Sequence, residues 1–192
     1  MAGAKNLKAR PKATPSRIQE NIQSAKAIVS QSIVENDFLH IAETQELTVA
    51  DLPQGNISVP LNLWLENKDA IKSRDGLTAV QIAADETSEE LAHDLSDIDI
   101  VVLPFVSYVD GRSYSHAYKL RTRFGFKGQI RAVGDVHFDQ LDFLTRSGCD
   151  AFELPEGDNL ETALRAFKEY SEVYQPAADD GRLIFSRRRT VH

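Results

Sequence analysis

Ile98-Asp99-Ile100-Val101-Val102-Leu103-Pro104-Phe105 is the stretch on which the fold turns. From Ile100 onward it is apolar at every position, so both faces of a strand would be buried. That condition belongs to a parallel sheet with helices packed over it. Downstream, the rhythm alternates. Ser115 to Phe124 carries Ala117, Leu120 and Phe124 at helical spacing, with Gly125 just beyond; Gln129 to Val133 reads as a strand ending at Gly134-Asp135. Val136 to Ser147 places Phe138, Leu141 and Leu144 on one helical face, and Gly148 is its stop. Asp150 to Leu154 is a last strand, and Leu160, Leu164 and Phe167 mark a final helix running to about Tyr174.

Upstream of the same stretch, Pro60 sits at a first helical position ahead of Leu61, Leu63, Trp64, Leu65 and Ile71, and Gly76 closes that helix. Thr78 to Ala84 reads as a buried strand ending in Asp85, and Ser88 to Leu95 as a short acidic helix. Strands alternating with helices of this length predict an α/β fold: a mostly parallel sheet of repeated βα units with right-handed crossovers. An open sheet and a partial barrel both satisfy that pattern. Further upstream, Ala27-Ile28-Val29, Ser32-Ile33-Val34 and Phe38 to Ala42 are short apolar runs around Glu35-Asn36-Asp37. They predict an N-terminal β-hairpin turning at Asn36-Asp37.

The chain divides into a basic flexible segment over 1–25, one α/β domain over 26–175 and a tail over 176–192. The first 17 residues carry Lys5, Lys8, Arg10, Lys12 and Arg17 and no acid, and Pro11 and Pro15 discourage regular structure. The tail holds an apolar Leu183-Ile184-Phe185 followed by Arg187-Arg188-Arg189. Either end reads as a solvated tail, or as an arm that docks an acidic partner or this protein's own body.

At 192 residues and 42% apolar composition, one core of ordinary size is expected. The formal charge of −7 argues against a nucleic-acid coat, which needs surplus lysine and arginine. No run approaches the length that spans a bilayer, and the polar start is unlike an apolar signal core. The expectation is a cytoplasmic protein without membrane contact. One cysteine, Cys149, excludes an intrachain disulfide, a zinc knuckle and a four-thiolate iron–sulfur cluster within this sequence. Cys149 reads as a small buried hydrophobe.

In α/β sheets, ligands collect beyond the carboxyl ends of the strands, where helix N-termini offer free N–H groups. Two loops stand out there. Asp110-Gly111-Arg112-Ser113-Tyr114-Ser115 combines a tight turn, a guanidinium fork and two hydroxyls, as a site for a small oxyanion requires. Gly134-Asp135-Val136-His137-Phe138-Asp139-Gln140 brings carboxylates around a histidine. The plainer account has Asp110 and Ser113 as helix caps and Arg112 paired with Asp135 or Asp139 across the loops. A metal site at His137 would need a second histidine, His116 being the only other one near this end, and no metal site is expected. No GxGxxG, P-loop or G-x-S-x-G occurs, so no cofactor is specified.

The run from Asp110 to Ser115, then Arg121, Gly125 to Val136, Asp139-Gln140 and Gly148 to Phe152 resembles a bacterial family catalogued as domain of unknown function 934. The resemblance extends over roughly 27–175. Members are commonly described as oxidoreductases with an inferred role in sulfite reduction. Arg112, Tyr114, Ser115, Arg121, Gly134, Asp135, Asp139 and Gln140 match the family pattern. With Asp110 and Gly111 they are the candidate anion or ligand-binding residues. Departures are Ser113 in place of a usual glycine, His116 to Arg121 in place of an arginine-rich run, and Phe138 where an arginine often precedes the Asp-Gln pair. The resemblance implies a place in sulfate assimilation. Sulfite reduction takes six electrons, which one cysteine cannot house, so this chain is not the reductase by itself. It implies instead a partner of sulfite reductase or of its electron donor, or a binder of a small oxyanion or cofactor. A small-molecule enzyme using Asp135 or Asp139 as base and Arg112 as anion clamp, and a non-enzymatic interaction module, stand beside it.

Overall fold

The computed structural model describes residues 25–42, 48–167 and 177–178. The basic segment before residue 25, the helix expected to continue to Tyr174 and the Leu183–Phe185 run lie outside them. Strands β1 (Lys26–Val29) and β2 (Ser32–Glu35) form the N-terminal hairpin. Its turn is Ser30-Gln31, not Asn36-Asp37: both turn residues have positive φ, 48° and 61°. A two-residue loop with left-handed backbone matches the twist of the paired strands. Ser-Gln is a poor sequence signal for it, which is why the Asn-Asp pair nearby draws the eye.

Six parallel strands follow: β3 (Leu39–His40), β4 (Ile57–Pro60), β5 (Thr78–Gln81), β6 (Ile100–Phe105), β7 (Gln129–Gly134) and β8 (Ala151–Phe152). Helices α1 (Leu61–Lys72), α2 (Arg112–Thr122), α3 (Leu141–Ser147) and α4 (Leu160–Ala166) follow β4, β6, β7 and β8. Pro60 ends β4 and caps α1, so a strand precedes the expected helix start. The expected helix over Ser88–Leu95 is instead two 3-10 turns, Ser88–Leu91 and Leu95–Asp97. Asp94 between them is drawn aside to Lys68 at 2.6 Å and to the Trp64 indole at 3.3 Å. The expected Val136–Ser147 helix opens with a 3-10 turn over Phe138–Gln140 before α3.

The strand order is β2-β1-β8-β7-β6-β5-β4-β3. Its two outermost strands, β2 and β3, are joined only by Asn36, Asp37 and Phe38. Laid flat, eight strands would separate them by roughly 34 Å, whereas the link reaches at most ~14 Å. The sheet therefore curls back on itself, which settles the choice the sequence leaves between open sheet and partial barrel.

Curling gives each strand an inner and an outer face. On β6, Val101, Leu103 and Phe105 join Trp64, Leu120 and Leu144 in the core under the helices. Ile100 and Val102 pack with Phe38, Ala79 and Val133 in a second, inner cluster. Among them runs a buried polar chain. The Glu153 carboxylate accepts from Arg131 (2.8 Å) and lies 2.8 Å from His40 Nε2. His40 Nδ1 lies 2.6 Å from Ser58 Oγ, and Gln81 Nε2 donates to the carbonyls of Ile41 and Ser58. Arg131 lies 4.4 Å from the Phe38 ring centroid and also donates to Gln129 and Asn36. Residues of β3, β4, β5 and β7, and Glu153 just after β8, thus meet inside one curl. Burial opposes ionisation of Glu153, but His40 and Arg131 outweigh it and hold the carboxyl below its ordinary range.

Candidate functional site at the carboxyl rim

Parallel strands place the loops after β6 and β7 side by side, because β6 and β7 are adjacent. Gly134 makes the approach possible. Its φ is +99°, and a Cβ there would lie 2.3 Å from the Phe105 carbonyl oxygen. The chain can then turn so that Asp135 N–H donates to that same oxygen at 2.7 Å. The Asp135 carboxylate faces the other loop and accepts from Tyr108 N–H at 2.6 Å. Tyr108 donates its hydroxyl to Asp139 (2.7 Å), and Gln140 donates to the Tyr108 carbonyl (3.3 Å). Gln140 also caps its own turn by accepting from His137 N–H.

Asp135, Asp139 and Gln140 are thus brought together, with Gly134 at the turn, and the residue that joins them is Tyr108; Tyr114 packs against Phe105 and Phe143. Asp110 and Arg112 lie in the same rim but bind each other. The guanidinium donates to Asp110 from Nε and Nη2, the latter at 2.7 Å, which holds Asp110 down at about 2. The cross-loop pairing of Arg112 with Asp135 or Asp139 does not occur. Gly111 caps α2 and Ser115 is exposed on its first turn. Ser113 is buried and donates to the Pro104 carbonyl. Arg121 stands at the opposite end of the sheet. It donates to the carbonyls of Phe126, Gly128 and Gly148 and pairs with Asp150 at 3.0 Å, clasping the loops that lead into β7 and β8.

His137 faces two carboxylates, Asp135 at 2.9 Å and Asp158 at 3.4 Å, the second an ion-pair contact. Desolvation works to lower its pKa, and the two carboxylates more than offset it, so His137 titrates above its ordinary value. The two carboxylates therefore favour the protonated imidazole at this rim relative to a free one. His116 does not join it: its ring is buried, and desolvation lowers its pKa. Cys149 is buried and unpaired, and burial pushes its thiol far up, as for an inert core residue. Among the described residues, no three His, Cys, Asp or Glu gather as a metal ion requires, and no helix is long and apolar enough to cross a membrane.

The rim is also greasy. Val106 and Val109 are 80% and 87% exposed, and Phe138 and Phe143 are 52% and 56% exposed. Tyr108 lies among them, and Tyr114 stacks on Phe143 with ring centroids 5.0 Å apart. A cluster of large exposed apolar groups on two interlocked loops is the usual mark of an interaction site.

The family model described as "Bacterial protein of unknown function (DUF934)" matches residues 79–185, more than half of the chain. The chain belongs to the DUF934 family. No curated protein matches it. The DUF934 match begins in β5 and takes in every rim residue named above, with Gln81, Arg131 and Glu153 of the inner chain. His40 and Ser58, which complete that chain, lie upstream of it.

Sequence reasoning passed over Tyr108, Asp158 and the inner residues His40, Ser58, Gln81, Arg131 and Glu153. A signal for the inner set was present. Ser58, Gln81, Arg131 and Glu153 each interrupt an otherwise apolar strand at a position of one parity, which marks the face turned inward. Tyr108 had no such signal, since its role depends on the two loops meeting.

Proposed function

We propose that this chain is an accessory component of assimilatory sulfite reduction, and that the carboxyl rim of its curled sheet docks sulfite reductase or its electron donor. The observation that carries the docking is the exposure of Val106, Val109, Phe138 and Phe143 around the Tyr108–Asp135–Asp139 lock. The lock holds both loops in one shape, so the apolar groups are presented without a further ordering cost on binding. The sulfur assignment rests on the description commonly given to the family. The buried Cys149 fits a supporting role, because this chain has no second thiol to offer.

The test is growth of a deletion strain on sulfate, sulfite, sulfide and cysteine, each as sole sulfur source. Failure on sulfate and sulfite with rescue by sulfide is expected. Growth on all four would overturn the sulfur reading.

A second reading has its own support. His137, between Asp135 and Asp158 and with its pKa raised by them, would donate a proton where a small oxyanion or cofactor would meet the rim. In that reading Asp135 or Asp139 is the base and Arg112 leaves Asp110 to clamp the anion. Folded Arg112→Ala and Asp135→Asn variants that still complement would remove it.

A further inference from the structure

We infer that the partner of this rim is a protein face of mixed basic and apolar character, with lysines and arginines set around large apolar side chains. The inference rests on the docking surface proposed above and adds the chemistry of what docks there.

It starts from how charge is divided between the two ends of the sheet. The loops after β6, β7 and β8, residues 106–111, 135–140 and 153–159, contain no lysine or arginine. They carry Asp110, Asp135, Asp139, Glu156 and Asp158, all at least partly exposed, and Asp142 follows in the first turn of α3. Arg112, at the start of α2, is taken by Asp110 at 2.7 Å, and His137 lies between Asp135 and Asp158. Asp139, Asp142 and Glu156 make no ion pair among the described residues. The helices run back against the strands they follow, so their last turns, with Lys72, Arg121, Arg146 and Arg165, lie at the opposite end. Helix dipoles favour an acid in a first turn, which accounts for Asp142. They do not account for how closely acids and exposed apolar groups alternate. Asp110 follows Val109, Asp139 follows Phe138, and Asp142 precedes Phe143.

That combination selects among occupants. A lipid surface would cover the apolar groups, but its anionic headgroups would meet the carboxylates. Nucleic-acid phosphates meet the same repulsion. A second copy docked through the same face would set acid against acid, because a two-fold interface pairs a patch with itself. A protein face with cations around an apolar centre satisfies both parts. It covers Val106, Val109, Phe138 and Phe143, and it gives Asp139, Asp142 and Glu156 the partners they lack within the described residues.

The experiment places a photo-reactive benzophenone amino acid at Phe138 of the full chain in its own cells and sequences the peptide captured on illumination. The same is done in an Asp142→Lys, Glu156→Lys double variant, whose two positions take no part in the Tyr108 lock. The expected result is a peptide of a different protein with lysine or arginine beside apolar residues. Its yield should fall about tenfold in the double variant, as like charges then face each other. A captured peptide that is acidic or uncharged overturns the inference, and so does an unchanged yield. Capture of this chain itself, or of nothing, overturns it as well. The docking proposal is judged separately, by growth: a foreign peptide captured equally in both chains removes the charge selection and leaves the docking in place.

Discussion

Glu153 shows what single residues do in this protein. It is fully buried between His40 and Arg131, and it links the first parallel strand to the end of the last. Removing one member of such a network strands a charge without its partner, at a cost of about 3–5 kcal/mol. Glu153→Gln and His40→Ala are each expected to lose that much in urea denaturation. Replacing Arg131 and Glu153 together by Met and Leu should cost less than either single change, because no charge is then left alone. A double variant as damaged as the sum of the singles would contradict this. His137 gives the pH-dependent counterpart at the rim. Its pKa is raised in the folded state, so its contribution is complete below its unfolded value, near 6.5, and is lost as pH rises through the folded value. The stability gap between wild type and His137→Gln should therefore be largest near pH ~5.5 and shrink by about pH 8.5; a gap constant with pH would contradict the pairing. These roles were hard to read in advance. Asp135 and Asp139 stood out as carboxylates beside a histidine, but their partner Tyr108 is 27 residues from one and 31 from the other.

At the scale of elements, the strands carried their own signatures. Apolar runs at Ile100–Phe105 and Gln129–Gly134 were legible because burial on both faces demands them. β4 was hidden by its brevity and its terminal Pro60, a residue that equally suits the helix start it also serves. β3 was visible as an apolar run but was assigned to the hairpin; its true partner, β4, lies 18 residues on in parallel register. Gly134 shows an element junction constrained by geometry rather than by burial. With φ at +99° and the Phe105 oxygen 2.3 Å from any Cβ, alanine cannot fit without moving β6 away from the rim. Gly134→Ala should lose about 2–3 kcal/mol, seen as a fall in Tm of roughly 5–10 °C. An unchanged Tm would mean that the loops after β6 and β7 are not locked as described. Arg121 illustrates the opposite case. It fits the family pattern as well as the rim residues do, yet its guanidinium clasps three carbonyls at the far end of the sheet.

For the whole molecule, the α/β class and its mostly parallel sheet followed from alternation alone, while closure did not. Whether eight strands stay open or curl depends on which strands are neighbours, and that depends on the three-residue link from β2 to β3. Once the sheet curls, one face becomes an inner core that holds the Arg131–Glu153–His40 chain, and the candidate site lies at the rim. There the apolar groups on two interlocked loops form the surface through which the protein is proposed to act. The most direct test is complementation of the deletion strain, on sulfite as sole sulfur source, by a Val106→Ser, Val109→Ser double variant. Both side chains are almost fully exposed, so the fold and Tm should be unchanged, as for other surface substitutions. The account predicts a folded protein that fails to restore growth; full growth with that variant would contradict it.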